Sequence, residues 1–98
     1  MLRNFVVVKH IQDSGKYLFY VPKNVSLSAG DKVVCDTSRG NDQLGVCCCD
    51  SFLADPAVVL PLFGTQEKNM KRVTGYVSYE KFEEAYAEEE YDELFQEE

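Results

Sequence analysis

Four cysteines and one histidine have the widest chemical range of any residues in this 98-residue chain: Cys35, Cys47, Cys48, Cys49 and His10. Three consecutive cysteines cannot supply the Cys-x-x-Cys chelate of zinc sites, so His10 would have to complete any metal site. Because neighbouring strand residues face opposite sides, Cys47 and Cys49 would share one face. We therefore expect buried thiols in a reducing compartment, without a metal or other cofactor. A disulfide from Cys35 to Cys47 or Cys49 and a metal site with His10 are the alternatives.

Catalytic motifs are missing from the sequence. It contains no glycine-rich phosphate loop, no nucleophile with a histidine partner nearby, and no zinc or calcium signature. The carboxylates crowd into the C-terminal run, which is typical of a solvated helix face. We therefore expect a protein that binds and does not catalyse.

Charge is distributed unevenly along the chain, whose formal net charge is −7. Residues 80–98 contain ten acidic residues against one lysine, whereas residues 1–79 carry a small positive excess. Such asymmetry is typical of an appended interaction or solubilising segment. No apolar stretch approaches the roughly 18 residues of a membrane span, and the N-terminus does not resemble a secretory signal. The sequence predicts a cytoplasmic protein that does not enter a membrane.

Alternating and β-branched residues predict five strands, at residues 5–11, 16–21, 32–37, 43–50 and 70–78. The second strand is apolar on both faces, which indicates a sheet that curls on itself or is covered by another element. Gly30 and Asp31 form a predicted tight turn. Gly45 and Gly75 suggest a bulge or sharp bend of the kind that small barrels use.

Two segments do not follow the strand pattern. Residues 51–69 contain two prolines and a glycine, and predict a loop that has room for one short strand or turn of helix. We expect Val58, Val59 and Leu60 in that segment to pack against the core. The pattern therefore predicts a small five-stranded antiparallel barrel of SH3-like or OB-like type over residues 1–78, followed by a C-terminal acidic α-helix over residues 79–98.

The acidic helix has three interpretations. It could cover an open edge of the barrel, or it could present Tyr91, Leu94 and Phe95 as anchors for a partner groove. It could also mask a basic face, because a carboxylate run competes with phosphate for cations. Exposed strand edges leave a homodimer open.

Residues 16–51 carry a pattern shared with a known family: an aromatic strand ending in Val-Pro, a leucine, Gly-Asp-x-Val-Val, a basic-glycine turn, and a strand beginning Leu-Gly-Val. The pattern covers about a third of the chain and resembles the N-terminal barrel of the primosomal replication helicase. The resemblance implies a DNA-binding barrel. In that family an aspartate between two aromatics recognises a DNA 3′ end, whereas Leu18 stands between Tyr17 and Phe19 here.

Two sets of binding residues follow. The candidates for nucleic acid are aromatics that could stack on bases and cations that could contact phosphates: Tyr17, Phe19, Tyr20, Tyr76, Lys16, Lys32, Arg39, Lys71 and Arg72. The alternative is that the aromatics are core and the cations are solvated. We expect first a protein–protein adaptor or accessory protein, with an origin in a phage or mobile element as one option. The second hypothesis is a single-stranded or end-specific nucleic-acid-binding barrel.

Overall fold

The computed structural model describes residues 1–10, 15–37 and 40–76, and for residues 40–42 and 76 it describes the backbone alone. The predicted acidic helix over residues 79–98 lies outside these residues. So do Arg39 and the predicted anchors Tyr91, Leu94 and Phe95.

The described part of the chain is mainly β, with one short α-helix: β1 (Arg3–His10), β2 (Lys16–Val21), β3 (Lys32–Thr37), β4 (Gly40–Cys47), β5 (Phe52–Ala54), α1 (Pro56–Leu62), a 3-10 turn (Glu67–Asn69) and β6 (Lys71–Tyr76). The second and third predicted strands have the predicted bounds, and the fourth begins and ends three residues earlier. Alternating and β-branched residues therefore located the strands well.

Five of the strands close into a barrel in the order β1, β2, β6, β3, β4 and back to β1. Four of the junctions are antiparallel, whereas β2 and β6 run parallel and pair Phe19 with Lys71 and Tyr20 with Arg72. The prediction of an all-antiparallel sheet is wrong at this junction. An odd number of strands cannot alternate in direction around a closed ring, so one neighbouring pair must be parallel.

The barrel sheet is buried on both faces where β1 meets β2. The lumen holds small and aromatic side chains: Val6, Val8, Phe19, Val21, Leu27, Val33, Cys35, Cys47 and Val73. Outside the barrel, Phe5 and Leu18 pack against Val59 and Leu60 of α1. The two alternatives predicted for the apolar second strand therefore both hold, since the sheet curls and is also covered.

The predicted loop over residues 51–69 contains more regular structure than expected, since it holds both a short strand, β5, and the helix α1, followed by the 3-10 turn. The Asp55 side chain caps α1 by accepting a 2.9 Å hydrogen bond from the Ala57 N–H. Val59 and Leu60 are buried as predicted, but Val58 is 62% exposed. At 3.6 residues per turn three consecutive side chains cannot all face the same core.

Two glycines illustrate why a side chain is not accommodated at particular positions. The tight turn at Gly30 is present, since the Asp31 N–H donates to the Ser28 carbonyl oxygen at 3.0 Å and Gly30 has a φ of 92°. Gly45 lies in the barrel wall, where a Cβ would overlap a γ-methyl of Val8 and lie 3.1 Å from the Lys9 carbonyl oxygen. The pairing of β3 with β4 continues without a shift at Gly45, so this glycine permits close approach and does not mark a bulge.

Candidate binding surfaces

The four cysteines are free thiols in different environments. Cys35 and Cys47 are buried in the lumen, and Cys49 packs against the same cluster. Burial raises the pKa of both Cys35 and Cys47 to about 12; nearby Cys47 and Asp36 add to the shift at Cys35, and Asp31 to that at Cys47. Cys48 is exposed. Thiols that stay protonated are poor nucleophiles and metal ligands, so the buried pair serves as core.

His10 lies at one end of the barrel among aromatic rings. Its ring centroid is 5.5 Å from that of Tyr17 and 5.5 Å, edge to face, from that of Phe19. Its Nδ1 is 3.4 Å from the Leu44 carbonyl oxygen. In residues 1–10, 15–37 and 40–76, no group of three or more His, Cys, Asp or Glu side chains could hold a metal ion.

The aromatic candidates for base stacking do not share one exposed surface. Phe19 is only 3% exposed and fills the lumen, so its ring cannot reach a base while the barrel is closed. Tyr20 faces outward, stacked on Phe5 at 5.2 Å, with the Arg3 guanidinium carbon 4.5 Å from its ring centroid. Tyr17 is 44% exposed. The described rings therefore do not form one stacking platform.

The strand register separates the cationic candidates into those that lie in one row and those that lie elsewhere. Lys16 on β2 pairs with Lys9 on β1, Lys9 pairs with Val46 on β4, and Val46 pairs with Lys32 on β3. The three lysines are exposed and lie in one row across four strands, which we call the lysine row. Successive positions are about 5 Å apart, because each step crosses one strand pair.

Other cationic candidates lie outside the lysine row. Lys71 and Arg72 are exposed on β6, where they pair with Phe19 and Tyr20 of β2. Lys9 was not among the candidates, although the predicted hairpin of residues 5–11 and 16–21 placed it near Lys16. The exact pairing across the turn was needed to find it.

The helix α1 supplies a second surface, which sequence reasoning missed. Its exposed side carries Val58 and Leu62, which are 62% and 78% exposed, and Phe63, the C-cap residue that follows the helix, is 44% exposed. Residues 56–66 contain no charged side chain. We call these three residues the α1 outer face. The signal was present in the sequence as a charge-free apolar run, but the two prolines in that run favoured a loop.

Comparisons of the chain with protein-family models, with curated proteins and with solved structures give no match. Among the helices that the structure describes, none has the length and apolar character needed to cross a membrane. Inferences about function therefore depend on the composition and geometry of the two surfaces, the lysine row and the α1 outer face.

Proposed function

We propose that this chain is a non-enzymatic binding module that contacts a partner protein through the α1 outer face. The observation that supports the proposal is a helix that is apolar on every side, although only one side packs against the barrel. Val59 and Leu60 face Phe5 and Leu18, whereas Leu62 is 78% exposed and the C-cap residue Phe63 is 44% exposed. A helix of this composition is normally buried all round, and an exposed apolar patch is typical of a protein interaction site.

The energetics favour an apolar partner. Full burial of a leucine or phenylalanine side chain contributes about 1.5–3 kcal/mol. Leu62 and Phe63 could therefore supply a large share of the affinity of a complex, as the few central residues of an interface commonly do. Because residues 56–66 carry no charge, we expect a partner with an uncharged apolar groove, and a complex that resists salt.

A matched pair of substitutions in the full chain tests the proposal. Leu62→Asp places a charge on the α1 outer face, and Leu53→Asp places the same charge on β5, where Leu53 is 61% exposed. Proteins from the native host are captured on each variant in high salt and identified by mass spectrometry. We expect a protein that the wild type and Leu53→Asp retain and that Leu62→Asp loses. If every captured protein is retained equally by both variants, the proposal is wrong.

The second candidate function is binding of single-stranded nucleic acid, which the lysine row favours. Three exposed ammonium groups in one row offer phosphate contacts. The resemblance to the primosomal helicase barrel, and an SH3-like or OB-like type of barrel, would agree with this function.

A titration with labelled single-stranded DNA at low and moderate salt tests this candidate. The expected result is binding that weakens steeply with salt and is lost in Lys9→Glu but kept in Lys68→Glu, which changes an exposed lysine on the 3-10 turn, outside the row. Equal affinity of the two variants, or no binding by any of them at low salt, would exclude it.

A cytoplasmic location, an acidic helix over residues 79–98, and partner contacts by Tyr91, Leu94 and Phe95 complete the proposal. Each is inferred from the sequence. The capture experiment extends to them through a Leu94→Asp variant. Loss of a captured protein in this variant would show that the C-terminal anchors contribute to binding.

A further inference from the structure

The lysine row is electrostatically unfavourable by itself. Lys16 and Lys9 lie directly opposite each other on β2 and β1, and like charges in this arrangement repel. Lys32 follows two strands further on, with Val46 between it and Lys9. No acidic residue occupies a position in the row. Such a row favours an occupant that carries several negative charges.

The end of the described chain lies next to this row. Tyr76, the last residue of β6, pairs with Val33, the neighbour of Lys32 on β3. Residues 77–98 continue from that point, and they carry ten acidic residues against Lys81. The row spans three strand steps, or about 15 Å, whereas the 19 residues 80–98 would span about 28 Å even as the proposed α-helix, which rises about 1.5 Å per residue. The C-terminal segment is therefore long enough to reach every lysine of the row.

The surface beside the row also suits this segment. Val34 and Leu44 pair with each other across β3 and β4, two residues along from Lys32 and Val46 on the same face of the sheet. Leu44 is 50% exposed. An occupant of the row would therefore meet lysines and an apolar position together. Residues 80–98 combine both complementary features, since their carboxylates are interspersed with aromatic and leucine side chains.

We propose that residues 80–98 lie across the lysine row, with their carboxylates against Lys9, Lys16 and Lys32, and occupy it in the full chain. The segment then acts as an internal polyanion that competes with any phosphate-bearing ligand for the row. This inference does not depend on the α1 outer face, which is a different surface.

Carbodiimide cross-linking of the full chain, read by mass spectrometry, tests the contact because the reagent joins a carboxylate directly to an amine. We expect cross-links from peptides of residues 80–98 to Lys9, Lys16 and Lys32 in at least about fivefold excess over those to Lys68, an exposed lysine on the 3-10 turn. The excess should collapse between about 20 mM and about 0.5 M salt, where the screening length falls from about 20 Å to about 4 Å.

Two substitutions of Lys9 distinguish the effect of its positive charge from the effect of its reactive primary amine. Lys9→Arg keeps the charge but removes the primary amine, so the cross-links at Lys16 and Lys32 should keep their wild-type yield. Lys9→Glu reverses the central charge, and the yield at Lys16 and Lys32 should fall severalfold. Thermal melts of both variants check that the barrel is intact.

Three outcomes would overturn the inference: no cross-links between residues 80–98 and the row, a yield at Lys68 equal to that of the row, or equal yields in Lys9→Arg and Lys9→Glu. A mixture of isotope-labelled and unlabelled chains identifies the origin of each cross-link. Cross-links that join labelled to unlabelled chains would show that a second copy supplies the carboxylates, and would contradict an intramolecular contact.

Discussion

Substitution of Gly45 by alanine is expected to strain the barrel at one identifiable point. The new methyl group would overlap a γ-methyl of Val8, which is fully buried, and would lie 3.1 Å from the Lys9 carbonyl oxygen. The carbonyl is part of β1 and cannot move without shifting that strand, and a β-branched valine has few alternative rotamers. The steric overlap at Gly45 can therefore be relieved only if packed atoms are displaced.

The expected cost of Gly45→Ala is about 1–3 kcal/mol, the usual range for an extra methyl group in a well-packed core. In a domain of this size each kcal/mol lowers the melting temperature by about 4–8 °C. Val8→Ala alone should cost about 2 kcal/mol, because it removes two buried methyl groups and leaves a cavity. In the double variant the methyl group introduced by Gly45→Ala would occupy part of that cavity. The sum of the two single-variant costs should therefore exceed the cost measured for the double variant by about 1 kcal/mol or more.

Chemical denaturation of the wild type, the two single variants and the double variant measures this coupling. If Gly45→Ala unfolds with wild-type free energy, or if the two substitutions are additive within about 0.5 kcal/mol, then Val8 does not fill the space in front of Gly45. The pairing of β1 with β4 in that part of the barrel would then be incorrect.

Three further predictions concern the turn, a buried amide and the buried thiols. Gly30→Ala should cost about 1–2 kcal/mol in chemical denaturation, because a φ of 92° disfavours a side chain although the space is open; Gly30→Asn should cost less. Asn4→Leu should cost about 1–3 kcal/mol in the same assay, since the Asn4 Nδ2 donates to the carbonyls of Pro22 at 3.0 Å and Val25 at 2.8 Å. Unfolding free energy should fall as the pH rises from 9.0 toward about 12, because unfolded thiols ionise while Cys35 stays protonated. Cys35→Ala should reduce that fall relative to wild type, and equal pH profiles would contradict the assignment.

Local pattern was sufficient to locate the strands, because alternation depends on neighbouring residues alone. The tight turn at Gly30 and the burial of Val59 and Leu60 were likewise predictable. The parallel pairing of β2 with β6 was not, since it follows from closing a ring of five strands and not from either strand's sequence. The helix α1 was missed because Pro56 and Pro61 suggest a break, although Pro56 lies in the first turn, where a proline costs little; Pro61 lies inside this short helix.

The candidate surfaces required register as well as pattern. Lys16 and Lys32 were identifiable as exposed cations, but only the pairing through Lys9 and Val46 places them in one row. The same register removes Phe19 from the surface, because its ring points into the lumen. A period of two in the sequence assigns a side chain to a face, and closure of the sheet decides which face is inside.

The dissociation constant of a purified partner identified by the capture experiment, measured at about 0.05 M and about 0.5 M salt, tests the proposed role of the α1 outer face most directly. For the wild type we expect a change of less than about threefold, because the helix carries no charge. Leu62→Asp should weaken the complex by about tenfold or more, which corresponds to about 1.4 kcal/mol. A steep loss of wild-type affinity with salt, or an unchanged affinity in Leu62→Asp, would contradict the account.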